Sequence, residues 1–183
     1  MRMKGRQHDP LHIDVAAAAA EGLEIAGQWP LDALARLADA APDAPAHQVA
    51  WRVRFERRRA RVGSDEIWLR LQAQASVPRE CQRCLQPVLV PVEVDCKLRF
   101  VETEQEAAAL DAETDYDVLA LEPRSNLRML IEDELLLALP AVPKHEKCPH
   151  PLPSDPTPLQ SADSEGPANP FAALAALKQG HKP

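Results

Sequence analysis

The sequence predicts an α+β fold: a small antiparallel β-meander sheet covered by one or two helices, followed by a Pro-rich C-terminal tail that ends in a short helix. Apolar residues alternate in three segments between Val49 and Phe100, the period of half-buried strands. A leucine stripe at helical spacing follows between Leu127 and Ala138. Leu, Ile, Val and Phe then fall from 37 in residues 1–143 to 5 in residues 144–183, and ten of the eighteen prolines lie from Pro140 onward. A segment so poor in apolar residues cannot bury a core of its own. The expected organisation is a poorly ordered segment over 1–20, one domain over 21–143, a Pro-rich linker over 144–168 that carries His145 and Cys148, and an amphipathic helix over 169–179.

Leu23 and Ile25 suggest a short strand before Gly27. Pro30 suits a helical first turn, Leu31, Leu34, Leu37 and Ala38 repeat at helical spacing, and Pro42 and Pro45 end that helix. From Val49 the period becomes two: Val49, Trp51, Val53 and Phe55 share a face opposite Arg52, Arg54 and Glu56. Gly63-Ser64-Asp65 makes a turn. Leu69, Leu71, Ala73, Ala75 and Val77 resume the alternation, and Val90 to Phe100 repeat it after a break at Cys81 to Pro87. Three consecutive strands joined this way form an antiparallel meander. A short strand is expected around Tyr116 to Leu121. The helix after Asn126 has Leu127, Leu130, Ile131, Leu135 and Ala138 as its apolar stripe, with Glu132, Asp133 and Glu134 largely off it.

Net charge is -7, but it is segregated: residues 102–122 hold eight acids and no Lys or Arg, while residues 52–61 hold six arginines against Glu56. Each strip can therefore have its own interaction, and the overall sign is a poor guide to partners. No apolar run approaches the roughly 20 residues of a membrane span, and Met1-Arg2-Met3-Lys4 leads into His8-Asp9-Pro10 instead of an apolar signal core. A cytoplasmic protein without a membrane partner is expected. The phosphate loop, the Gly-x-Ser-x-Gly elbow and His-Glu-x-x-His are all missing from the sequence. No catalytic residue is assigned, and neither an enzymatic activity nor a small-molecule substrate is expected.

Cys81-Gln82-Arg83-Cys84 sits in a strand-to-strand connection, where two thiolates can face one zinc ion. The other two ligands would come from His145, Cys148 and His150, just past the leucine helix; Cys81, Cys84, His145 and Cys148 are the candidate metal set, with structural zinc as the candidate cofactor. A reduced turn and a redox dithiol are the competing readings. Cys96 shares parity with Val94, Leu98 and Phe100 and reads as core. Arg52, Arg54, Arg57, Arg58, Arg59 and Arg61 form a candidate nucleic-acid contact, since guanidinium forks suit phosphate oxygens. The alternative for them is a solvated strand end, or pairing with the chain's own acidic segment. Asn169 and Pro170 can start the tail helix, whose Phe171, Leu174, Leu177 and Lys178 are candidate docking residues for the domain itself or for a partner groove.

Three pieces in order carry a family resemblance: Cys81-Gln82-Arg83-Cys84-Leu85 after a Val/Ala-rich strand, the run from Ile131-Glu132-Asp133-Glu134 through Leu139-Pro140 to His145, and Asn169-Pro170-Phe171 to Lys178. Together they resemble the bacterial large ribosomal RNA subunit accumulation protein YceD family, over most of the chain from about residue 20. The resemblance implies ribosome biogenesis: a part in the synthesis, processing or stability of 23S rRNA, without an established enzymatic activity, and encoding beside a large-subunit ribosomal protein gene. The expected partner is 23S rRNA or its precursor, directly or indirectly, with the arginine hairpin contacting the RNA or an rRNA-protein complex and a basic ribosomal protein attracted to the acidic strip. The alternative is a protein-protein adaptor that binds a basic ribosomal protein or an RNA-processing factor without touching RNA.

Overall fold

The computed structural model describes residues 8–39, 41, 47–60 and 63–149. The chain divides at Pro149, so every described residue belongs to one compact unit. Residues 144–149, expected to open the Pro-rich linker, are part of that unit. The helix expected over 169–179, Arg61 and His150 lie outside the described residues.

The strands are β1 (Glu24–Pro30), β2 (Gln48–Arg58), β3 (Glu66–Glu80), β4 (Pro87–Val101) and β5 (Asp117–Ala120), hydrogen-bonded in that order as one sheet. β1 to β4 form the antiparallel meander, longer by one strand than the three consecutive ones the alternation fixes. β5 lies parallel to β4. The reversal between them is made by α3 (Glu104–Asp111), a helix capped by Thr103 inside the acidic segment. In β1, Gly27 faces Trp51, and a Cβ there would stand 2.8 Å from the Trp51 ring. The missing side chain lets Trp29 stack on Trp51 with ring centroids 4.4 Å apart.

One face of the sheet is covered by α1 (Val15–Glu21) and α4 (Leu127–Ala138), with α2 (Ala35–Asp39) packed on α4. Residues 8–20 correct the expectation of a poorly ordered start. Asp14 caps α1 by accepting from the Ala17 N–H, an alanine run supplies high helix propensity, and Gly22 ends the helix at φ 62. The helix expected over 31–38 is broken into a 3-10 turn, Leu31–Ala33, and α2, yet Leu31, Leu34 and Leu37 are all fully buried as their spacing requires. α4 begins at Asn126, whose side chain accepts from the Arg128 and Met129 N–H groups. Its buried residues are Leu127, Ile131, Leu135 and, contrary to the expected stripe, Glu132; Ala138 is exposed.

These helices and the inner sheet face enclose the main core, which includes Val49, Val53, Phe55, Leu69, Leu71 and Leu98. α3 packs on the opposite face at the β5 end, around Val101, Ala107 and Val118. The rest of that face is open and polar. Between Pro87 and Lys97 the outer edge of β4 has no strand partner among the described residues. Pro87, Pro91, Glu93, Asp95 and Lys97 guard it against pairing with another chain. No helix of the described residues is long and apolar enough to cross a membrane.

Candidate metal centre and basic hairpin

β3 and β4 run five residues beyond the last β2 partner, from Ser76↔Pro91 to Glu80↔Pro87, as a two-stranded arm. The six residues at its tip fold into a knuckle: the Cys81 N–H donates to the Gln86 carbonyl at 2.9 Å, and the Leu85 N–H to the Cys81 carbonyl at 2.8 Å. Closing so tight a turn puts Leu85 at φ 58, the left-handed region that glycine occupies at least cost. The chain leaving α4 then crosses this tip. The Gln82 N–H donates to the Pro143 carbonyl at 2.9 Å, and His145 Nε2 lies 3.0 Å from the Pro87 carbonyl.

That crossing brings Cys81, Cys84, His145 and Cys148 together, with all four ligand atoms within 4.8 Å of one another. Cys81 Sγ is 3.8 Å from Cys148 Sγ, and Cys84 Sγ is 3.5 Å from His145 Nδ1. A tetrahedral zinc ion, with Zn–S of about 2.3 Å and Zn–N of about 2.0–2.1 Å, sets S···S near ~3.8 Å and S···N near ~3.6 Å. The donor set therefore fits a metal in both chemistry and spacing. The hydrogen bond from Nε2 to the Pro87 carbonyl puts the imidazole proton on that nitrogen and leaves the Nδ1 lone pair facing Cys84. Burial raises the Cys81 thiol, but the backbone N–H groups of His145, Arg83 and Cys84 outweigh it and hold the thiol well below its ordinary range. Burial pushes the Cys84 thiol up. Cys96 stands apart: burial, with Glu134 beside it, pushes its thiol up to about 12, which suits a protonated core residue.

Arg83 was not among the expected site residues. From the knuckle it donates Nε to Cys148 Sγ at 2.9 Å and Nη2 to the His145 carbonyl at 3.2 Å. A cation inside the Cys-x-x-Cys spacer is the one trace of this contact in the sequence.

The arginine strip lies at the other end of the sheet. Arg52, Arg54 and Arg58 point from β2 to the open face, and Arg57 and Arg59 are exposed at the hairpin end. Most are paired: Arg52 with Glu24 at 2.8 Å, Arg54 and Arg58 with Glu56 at 3.3 and 2.9 Å, and Arg57 with Asp65 at 3.5 Å. The Arg58 guanidinium holds the Glu56 carboxyl below its usual range. The acidic segment 102–122 supplies none of these partners among the described residues, although it lies at the same end of the sheet, after β4. Arg58 also stacks over Trp68 at 4.7 Å, and Trp68 meets Tyr116 edge-on. Trp51 and Phe55 thus fill the helix-covered core, while Trp68 packs on the opposite face. That face also holds a shallow trough of about 650 Å³ between Ala26, Ala50, Gln72, Gln74 and Asp95.

No solved structure gives a significant match to the chain. The large ribosomal RNA subunit accumulation protein YceD of Haemophilus influenzae is 27% identical over 175 residues, covering 93% of this chain and 96% of its relative. The family model for large ribosomal RNA subunit accumulation protein YceD matches residues 69–178, from β3 through the knuckle and α4 to the Asn-Pro-Phe segment. The chain accordingly belongs to the YceD family.

Proposed function

We propose that the protein is a cytoplasmic ribosome-biogenesis factor that supports the accumulation of 23S rRNA by binding and not by catalysis. Membership of a family named for large-subunit rRNA accumulation carries the reading. The hairpin supports direct contact with RNA: five described arginines from Arg52 to Arg59 face three carboxylates, Glu24, Glu56 and Asp65, and Arg59 has no ion pair among the described residues. In this reading the Cys3His group holds a structural zinc ion and takes no part in a reaction.

Binding of this kind weakens steeply with salt, because each neutralised phosphate releases counterions. In filter binding to precursor 23S fragments, a variant carrying Arg57→Glu and Arg59→Glu is expected to bind roughly tenfold or more weaker and to lower the salt slope by about 2. Equal affinity and slope for variant and wild type would falsify direct contact.

The ion pairing of Arg52, Arg54 and Arg58 favours a second reading, an adaptor that holds a basic ribosomal protein, because Glu24 and Glu56 already offset two of those three charges. Pull-down after nuclease treatment separates the two. Partners that survive digestion favour the adaptor, and their loss favours RNA.

A further inference from the structure

The β3–β4 arm has little to hold it in place. Only Val77 and Val90 are buried within its five residue pairs, Leu89 is 53% exposed, and an isolated two-stranded ribbon is marginal in water. The segment after α4 has no helix or strand of its own between Pro140 and Pro149. These two weak pieces meet at the four ligand atoms.

We infer that zinc at Cys81, Cys84, His145 and Cys148 is a closed staple that fastens the arm to the strap after α4, with Arg83 as its outer-sphere counter-charge. The inference rests on the zinc reading given above. All four tetrahedral positions are filled by protein atoms, which leaves no open position for a substrate and makes the site structural. Three thiolates around Zn²⁺ carry a net charge of -1. The Arg83 guanidinium, 2.9 Å from Cys148 Sγ, offsets it and laces the knuckle to the His145 backbone. His145 is held by the same logic, with its non-ligating nitrogen on the Pro87 carbonyl. The ion thus joins two ligands from the arm to two from the strap.

The full-length protein, purified under reducing conditions and reconstituted with zinc, is expected to retain one equivalent. Less than a tenth of an equivalent overturns the zinc reading and the staple together. In competition with a chromophoric chelator, Arg83→Gln is expected to lower zinc affinity about tenfold or more, with Arg83→Lys recovering part of the loss. If wild type binds zinc and Arg83→Gln binds it equally well, the counter-charge role fails while the zinc reading stands. Chelation of the wild-type protein is expected to speed amide hydrogen exchange in residues 81–86 and 140–149 and to leave β2 unchanged. Exchange that stays constant in those segments, or rises equally in β2, overturns the staple.

Discussion

The Glu132 carboxylate accepts four hydrogen bonds from the start of α2: the Arg36 and Leu37 N–H groups at 2.7 and 3.1 Å, and the Arg36 guanidinium at 3.2 and 3.1 Å. Its side chain is 8% exposed, against 50% for Arg36. Removing both carboxylate oxygens would strand two backbone donors as well as the guanidinium, so Glu132→Leu is expected to cost about 3 kcal/mol in urea unfolding. Arg36→Gln leaves both backbone bonds in place and is expected to cost about 1 kcal/mol. Equal losses would mean that the ion pair, and not the cap on α2, sets the stability. Sequence periodicity misplaced Glu132 because a run of three acids on a helix ordinarily faces water, and its partner lies ninety-six residues earlier. The meeting of Cys81, Cys84, His145 and Cys148 was legible for the opposite reason: thiols and imidazoles stand out at a strand turn and just past a helix stop.

At the scale of elements, alternation fixed which residues of β2, β3 and β4 face the core, because a slip of one residue would turn every side chain to the wrong side. It left the edges open. β1 and β5 are short, and the parallel direction of β5 follows from the crossover through α3, whose only buried residue is Ala107. α1 was missed because alanines carry almost no apolar contrast; its caps, Asp14 and Gly22, were the usable signal. Between the long strands, Asp95 on β4 pairs diagonally with Arg70 on β3 at 2.7 Å, and Gln72 adds a third bond at 3.0 Å. The Arg70 guanidinium, with Gln72, holds the Asp95 carboxyl at about 2. A carboxyl depressed in this way stabilises the fold above its ordinary value near ~3.9, and that contribution disappears as pH falls from about 4 to 2. Carboxyl NMR should place the Asp95 midpoint near 2 in the wild type, and Arg70→Gln should move it up toward the ordinary aspartate value. An unchanged midpoint in the variant would show that the pair is not formed in solution.

On the scale of the whole molecule, the fifteen residues of β3 separate the hairpin end from the knuckle, a span of about 45 Å at roughly 3.3 Å per residue. Sites so far apart with no shared partner act independently. A protein combining Arg57→Glu with Cys148→Ser should show stability losses that add within about 0.5 kcal/mol; a larger coupling in urea unfolding would mean that the sheet transmits strain between its ends. The proposed staple would also impose an order in time. Sixty-four residues separate Cys84 from Cys148, and at about 5–20 residues per second the ribosome needs roughly 3–13 s to make them. During that interval the nascent arm would carry two thiols without their His145 and Cys148 partners, so closure of the staple would wait until synthesis has passed α4.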